Sequence, residues 1–185
     1  MIRKAKPDDY KAVAVLIVQA MGELALKFTN SENPETAIQL FEYFFKQENN
    51  QYSYQNTLVY ENNGKVAGSI NAYDGAKLLQ LRAPFLLYLK ENYALKNFDP
   101  DEETQAGEFY LDTISVDQSM QGKGIGKLLI QAGIEWSAKL GHKKAGLIVA
   151  KNNEGALRLY LKMGFQIENE RMFIGGHYYH LIYNN

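Results

Sequence analysis

Three glycines fall within five positions in Gln121-Gly122-Lys123-Gly124-Ile125-Gly126. They stand between an apolar run that reads as a strand, Phe109 to Val116, and a helical run expected over 127–140. Glycine lets a main chain turn tightly and present its N–H groups without side-chain obstruction. At a helix start those donors are free, and the helix dipole adds partial positive charge at the same place. Lys123 and Lys127 bracket the turn. The chemistry this suits is the holding of a phosphate or pyrophosphate. Two familiar nucleotide motifs fail on spacing. Gly126-Lys127 is followed by Leu128, so the hydroxyl that completes a P-loop is missing, and Gly122-x-Gly124-x-Gly126 is not the Gly-x-Gly-x-x-Gly of a dinucleotide fold. A tight strand-to-helix turn with no ligand is the bland alternative.

A second group could move protons. Glu108 and Asp112 lie on alternate positions of the strand at 109–116 and would share a face, with Tyr110 between them. An acid inside an apolar strand is unfavourable without partners, which singles out Asp112. The three histidines, His142, His177 and His180, do not suggest a metal: 177 and 180 fall on opposite faces of a strand. The chain has no cysteine, which excludes disulfides, thiolate metal ligands and a cysteine nucleophile.

The elements that must position these groups follow from apolar spacing. Ile2–Lys4 reads as a strand; a helix opening at Asp8 or Asp9 carries Val13, Leu16, Ile17, Ala20 and Leu24 on one stripe. Pro34 begins a second helix, with Ile38, Phe41, Phe44 and Phe45 as its apolar face. Residues 57–61 and 65–73 flank Asn63-Gly64 as a hairpin. Beyond the glycine turn come a buried strand at 145–150, a helix capped by Asn153 and ended by Gly164, and a final strand pair at 165–170 and 178–183. Residues 74–106 form an insertion holding the apolar run Phe85–Leu89 and an acidic run at Asp99, Asp101, Glu102 and Glu103. A connection this long has structure or a function of its own. The expected form is a packed helix with a solvated acidic loop; a pocket wall or a dimer contact is the alternative.

At the Asn153 helix the chain resembles the GNAT superfamily of acyl-CoA-dependent N-acetyltransferases. The family's phosphate motif, Gln/Arg-x-x-Gly-x-Gly/Ala, is matched by Gln121, Gly124 and Gly126. Its second motif is matched by Asn153, Ala156, Leu159, Tyr160, Gly164 and Phe165, in the family's order and at a plausible separation. The resemblance is strongest over 108–166. It implies an α/β (α+β) fold with a mixed, mainly antiparallel sheet of six to seven strands, helices on both faces, and the order β-α-α-β-β-β-α-β-α-β-β.

The same resemblance implies acetyl-CoA as donor substrate and a primary amine as acceptor, with direct attack in a ternary complex. Its pyrophosphate would sit on the amides of Gln121, Gly122, Lys123, Gly124, Ile125, Gly126 and Lys127. Ile114 and Val116 would lie beside the pantetheine arm, near a splay between the fourth and fifth strands, and Asn153 and Ala156 would adjoin it. Tyr160 falls on the position of the family's general acid. A lysine-like amine with pKa about 10.4 needs about 4–5 kcal/mol to lose its proton at pH 7, so a base is useful. Asp112, Glu108 or a water chain would supply it. A non-catalytic acyl-CoA sensor is the other reading, and a purely structural domain leaves both motifs unexplained.

Composition bounds the rest. The 185 residues carry a formal charge of −1 and fit one domain, 1–185, with no broad nucleic-acid surface. No secretory core or membrane-length apolar run occurs, so a cytoplasmic protein without metal or membrane partner is expected. The acceptor pocket should draw on the first two helices, the insertion and the last strand pair; acids at 99–103 with Tyr178 and Tyr179 hint at a cationic acceptor. The acceptor's identity is not written here, and homodimerisation stays open.

Overall fold

The computed structural model describes all 185 residues. Seven strands form one sheet: β1 (Ile2–Lys4), β2 (Thr57–Asn62), β3 (Lys65–Asp74), β4 (Phe109–Val116), β5 (Lys144–Ala150), β6 (Gln166–Phe173) and β7 (Gly176–Asn184). The spatial order is β1-β2-β3-β4-β5-β7-β6, and β4–β5 is the one parallel pair. Six α-helices accompany it: α1 (Tyr10–Met21), α2 (Glu23–Thr29), α3 (Pro34–Phe45), α4 (Leu78–Asn92), α5 (Ile125–Lys139) and α6 (Glu154–Lys162). No single helix is long and apolar enough to cross a membrane.

Alternation along the strands divides the core. Leu58 packs with Ile70, Leu111 and the α5 residues Leu129, Ile130 and Ile134, whereas its neighbour Val59 packs with Ile17 of α1, Phe41 of α3 and Phe85 of α4. Adjacent residues of a strand face opposite ways, so α5 covers one side and α1, α3 and α4 the other. Gly133 lets α5 approach closely: a Cβ there would meet Ile70 Cδ1 and Leu111 Cδ2 at 2.9 Å.

Two helices add to the expected order. The stripe read as one helix through Leu24 breaks at Gly22, whose φ of 56° and ψ of −129° suit glycine, and α1 and α2 meet at 109°. The insertion supplies α4, with Phe85 and Leu89 in the core. Its acidic run is not all solvated: Glu103 is 3 % exposed and pairs with Arg82 of α4, itself 4 % exposed. Burying a carboxylate requires such a partner. Helix α5 begins at Ile125, so Gly126 and Lys127 are inside its first turn.

Two features of β4 shape the site. First, β4 and β5 pair only at Phe109–Ala145 and Tyr110–Gly146, after which their inner edges diverge into a V. Second, β4 carries a bulge: Asn71 pairs with Thr113 and Ala72 with Leu111, leaving Asp112 with no opposite residue on β3. A bulge re-aims side chains locally. Leu111, Ile114 and Val116 oppose Ala72, Ile70 and Gly68 on the α5 side, while Tyr110, Thr113 and Ser115 oppose Tyr73, Asn71 and Ser69 on the other.

Candidate active site

The V between β4 and β5 opens into two cavities that share five wall residues: Ala20, Ile114, Asn153, Ala156 and Tyr160. Tyr160 therefore stands at their junction.

The larger cavity, about 650 Å³, lies against the glycine turn. Gly122 and Gly124 have φ of 74° and 78°, a region that disfavours side chains. Their conformation turns the chain into α5, and the amides of residues 122–127 donate to no acceptor in the protein. Buried Ile125 anchors the turn to the core beneath. Ile114, Val116, Gln121, Gly122, Gly124, Ile125, Gly126, Lys127, Asn153, Ala156 and Tyr160 all line this cavity. Lys123 does not; its Nζ turns back to Met120 Sδ at 3.2 Å and Ser119 O at 3.5 Å. Asn153 also accepts from Ala156 N at 3.1 Å, so it caps α6 while facing the cavity. A residue that sequence reading passed over, Gln19 of α1, donates to Ser115 Oγ at 2.7 Å and Val116 O at 2.8 Å.

The second cavity, about 330 Å³, is lined mainly by hydrophobic residues, with Met21, Leu24 and Phe28 of the bent helix pair on one wall. Phe173 and Tyr178 of the last strand pair close another side, and Glu103 from the insertion supplies a third. Its acidic end is a buried network. Asp112 Oδ2 accepts from Gln51 Nε2 at 2.9 Å and from Tyr73 Oη at 3.0 Å. Gln51 Nε2 also reaches Glu103 Oε1 at 3.4 Å, and Arg82 closes on Glu103 from behind. Burial, then the charge of Glu103, pushes Asp112 up to about 6 against the pull of its two donors. Gln51, Tyr73 and Arg82 carried no sequence signal; Glu103 stood out only as one of an acidic run.

Glu108 is elsewhere. It shares a strand face with Tyr110, as expected, but lines neither cavity. It is 1 % exposed, bonded to His180 Nε2 at 2.9 Å, Thr104 Oγ1 at 2.5 Å and Gln105 N at 3.2 Å. Burial raises its proton affinity, but these donors outweigh that and hold it below the usual carboxylate value. Glu108 and Asp112 are thus not brought together, because a β7 histidine claims the first. Tyr160, its hydroxyl proton retained, is pushed up to about 12 by burial.

The residues fit a CoA-type donor on one observation of this structure: six consecutive amides without acceptors at a helix start, beside an open strand edge. Comparisons with known proteins agree. The model of the Acetyltransferase (GNAT) family matches residues 18–165. The spermine/spermidine N(1)-acetyltransferase of Bacillus subtilis (strain 168) is 34 % identical over 127 residues, covering 65 % of this chain and 80 % of that protein. A crystal structure of an N-acetyltransferase from Staphylococcus aureus Mu50 superposes with a TM-score of 0.86 at 28 % identity, covering 99 % of this chain and all of the other. A second solved acetyltransferase gives 0.83 at 31 % identity, covering 100 % and 98 %. The chain belongs to the Acetyltransferase (GNAT) family and is an acyl-CoA-dependent N-acetyltransferase.

Proposed function

We propose that this chain, folded as one domain over 1–185, is a cytoplasmic enzyme that moves the acetyl group of acetyl-CoA onto a cationic primary amine of the polyamine class. The observation that carries it is the two-ended cleft: free amides at one end, a buried acidic network at the other, and Tyr160 between. The similarity to a spermine/spermidine acetyltransferase supports the acceptor class.

Acetyl-CoA would supply an activated acetyl carbonyl and a thiolate leaving group. The amides of residues 122–127 and Lys127 would hold its pyrophosphate, each charge-assisted bond contributing roughly 1.5–3 kcal/mol. Asn153, Ile114 and Val116 would flank the arm that runs to Tyr160. The amine must first become neutral, and Asp112, raised to about 6, is a better proton acceptor than an ordinary aspartate. The ammonium proton passes to Asp112, directly or through water. The nitrogen then forms its bond to the carbonyl carbon as the carbon–sulfur bond breaks. Tyr160, at about 12, stays protonated at neutral pH. Full transfer of its proton to a thiolate near pKa 8.5 would run uphill by about 5 kcal/mol. Its role is therefore to donate a hydrogen bond to the departing sulfur, and the remaining amine proton leaves with the thiol product.

The test is thiol release from acetyl-CoA over a panel of amines. Turnover should favour spermidine and spermine over neutral or anionic amines. Tight acetyl-CoA binding with no turnover on any amine would instead indicate a sensor. Gly124→Glu should abolish acetyl-CoA binding in calorimetry while the fold persists; unchanged binding would refute the cradle.

A further inference from the structure

The insertion at 74–106 lies outside both matched motifs, yet it places two charged, nearly inaccessible groups at the acceptor cavity, Glu103 in its wall and Arg82 behind that. Arg82 Nη2 grips Glu103, and Arg82 Nη1 also donates to the carbonyls of Pro100 and Asp101 at 3.4 and 3.2 Å, tying the loop to α4. Gln51 is fixed on all sides: its N donates to Leu81 O at 2.9 Å, its O accepts from Asn71 Nδ2 at 3.2 Å, and Arg82 Nε approaches its Oε1 at 3.4 Å. One side-chain amide thereby bridges two carboxylates, the buried Glu103 and the half-buried Asp112. Helix packing, the family turn and the α6 motif require none of this.

The charge balance gives the cluster a use. Arg82 offsets Glu103, so an ionised Asp112 leaves the cavity with one negative charge that no cation of the protein matches. An incoming ammonium would cancel it, and passing the proton to Asp112 would keep the cavity neutral. The ionisable groups that face Asp112 are Tyr52, Tyr73 of β3, Arg82 of α4, Glu103 of the insertion and Tyr110 of β4 itself. The tyrosines are held protonated by burial, which leaves Glu103 as the one carboxylate acting on Asp112 across Gln51.

We propose that Glu103, clamped by Arg82 and bridged through Gln51, is a positioning residue for the reaction: it makes Asp112 take up the acceptor's proton instead of resting as an inert buried anion. The inference rests on the reading of Asp112 as the proton acceptor. The insertion is then the segment that tunes catalysis.

The experiment is the pH profile of kcat/KM for spermidine, together with 13C-detected titration of the Asp112 carboxyl. Both should show a limb near the Asp112 value of about 6. Glu103→Gln should move the limb and the titration down by about one pH unit, through loss of a like charge, with KM for acetyl-CoA unchanged. Glu103→Asp should restore part of it. Gln51→Met removes a donor but keeps Glu103, so it should move the limb up, and it carries the test if the Glu103 variant fails to fold. An unmoved limb in a folded Glu103→Gln or Gln51→Met protein overturns the proposal. A limb that survives in Asp112→Asn overturns the proton-acceptor reading itself.

Discussion

Two carboxylates four residues apart, Glu108 just before β4 and Asp112 in its middle, meet opposite fates. At the closed end, where β4 still pairs with β5, Glu108 is saturated by His180, Thr104 and Gln105 and held ionised. Two residues past the last β4–β5 pair, where the strands part and a bulge re-aims the side chain, Asp112 lines a cavity beside another acid and has more proton affinity than an ordinary aspartate. Residue type and strand parity are nearly the same. What differs is who is left to donate. A carboxylate surrounded by donors is structural cement; one facing a second carboxylate has spare proton affinity for chemistry.

The strongest attempt to break this contrast is Asp112→Asn. It should lower kcat/KM by roughly 10²–10⁴-fold, the usual worth of a proton-transfer group, while leaving the melting temperature at pH 7.5 equal or higher. A variant that keeps its turnover would erase the distinction. Glu108→Ala should do the reverse, since it strands His180 without its partner. Urea unfolding should show a loss of roughly 3 kcal/mol, with activity per folded molecule little changed. Between the two ends, Tyr160→Phe should reduce kcat by roughly 10–100-fold, the value of one hydrogen bond to a charged sulfur, with acetyl-CoA affinity preserved.

Gly146 sits under Glu108, and a Cβ there would lie 2.5 Å from Glu108 Oε2. Gly146→Ala should therefore destabilise by about 1–3 kcal/mol through overpacking, detectable by thermal melting, without moving the pH profile. Proton linkage gives the last test. Asp112 binds its proton more tightly folded than unfolded, so its contribution to stability is full below about pH 4 and is lost as pH rises towards about 6. Glu108 has the opposite sign: its contribution is present above about pH 4.3 and is lost as pH falls through its lowered folded value. Stability curves of Asp112→Asn and Glu108→Gln should flatten in those two windows respectively, and curves that match wild type in both would contradict the assignment.

The half of the cleft at the glycine turn was legible because it is local. Gly122, Gly124 and Gly126 announce a turn whose amides are left without acceptors, and Asn153 to Tyr160 lie within two helical turns of one another. The strands followed from alternation, with β6 and β7 running longer than expected. At the acidic end the walls and Asp112 could be singled out but the network could not, because Gln51, Tyr73, Arg82, Glu103 and Asp112 come from five separate segments and meet only through packing. The bulge at Asp112 leaves no mark in residue type. His180 hides similarly: strand parity set it apart from His177, but nothing in the sequence pairs it with Glu108. Gly22 is a signal in plain view, a glycine between two apolar runs whose backbone ends α1 and starts α2.

The divergence of β4 from β5 has a thermodynamic consequence. Interior strands ordinarily close each other's backbone groups along their whole length. Here residues after Tyr110 and Gly146 leave that seam unstitched in the middle of the sheet, with Gln19 and Gln121 covering only Val116 O. A ligand lying in the seam supplies cohesion that the chain lacks, and mass action sets how much: about 2.7 kcal/mol at a hundredfold excess over Kd. The lifetime of this protein, as well as its rate, would then follow the supply of its donor.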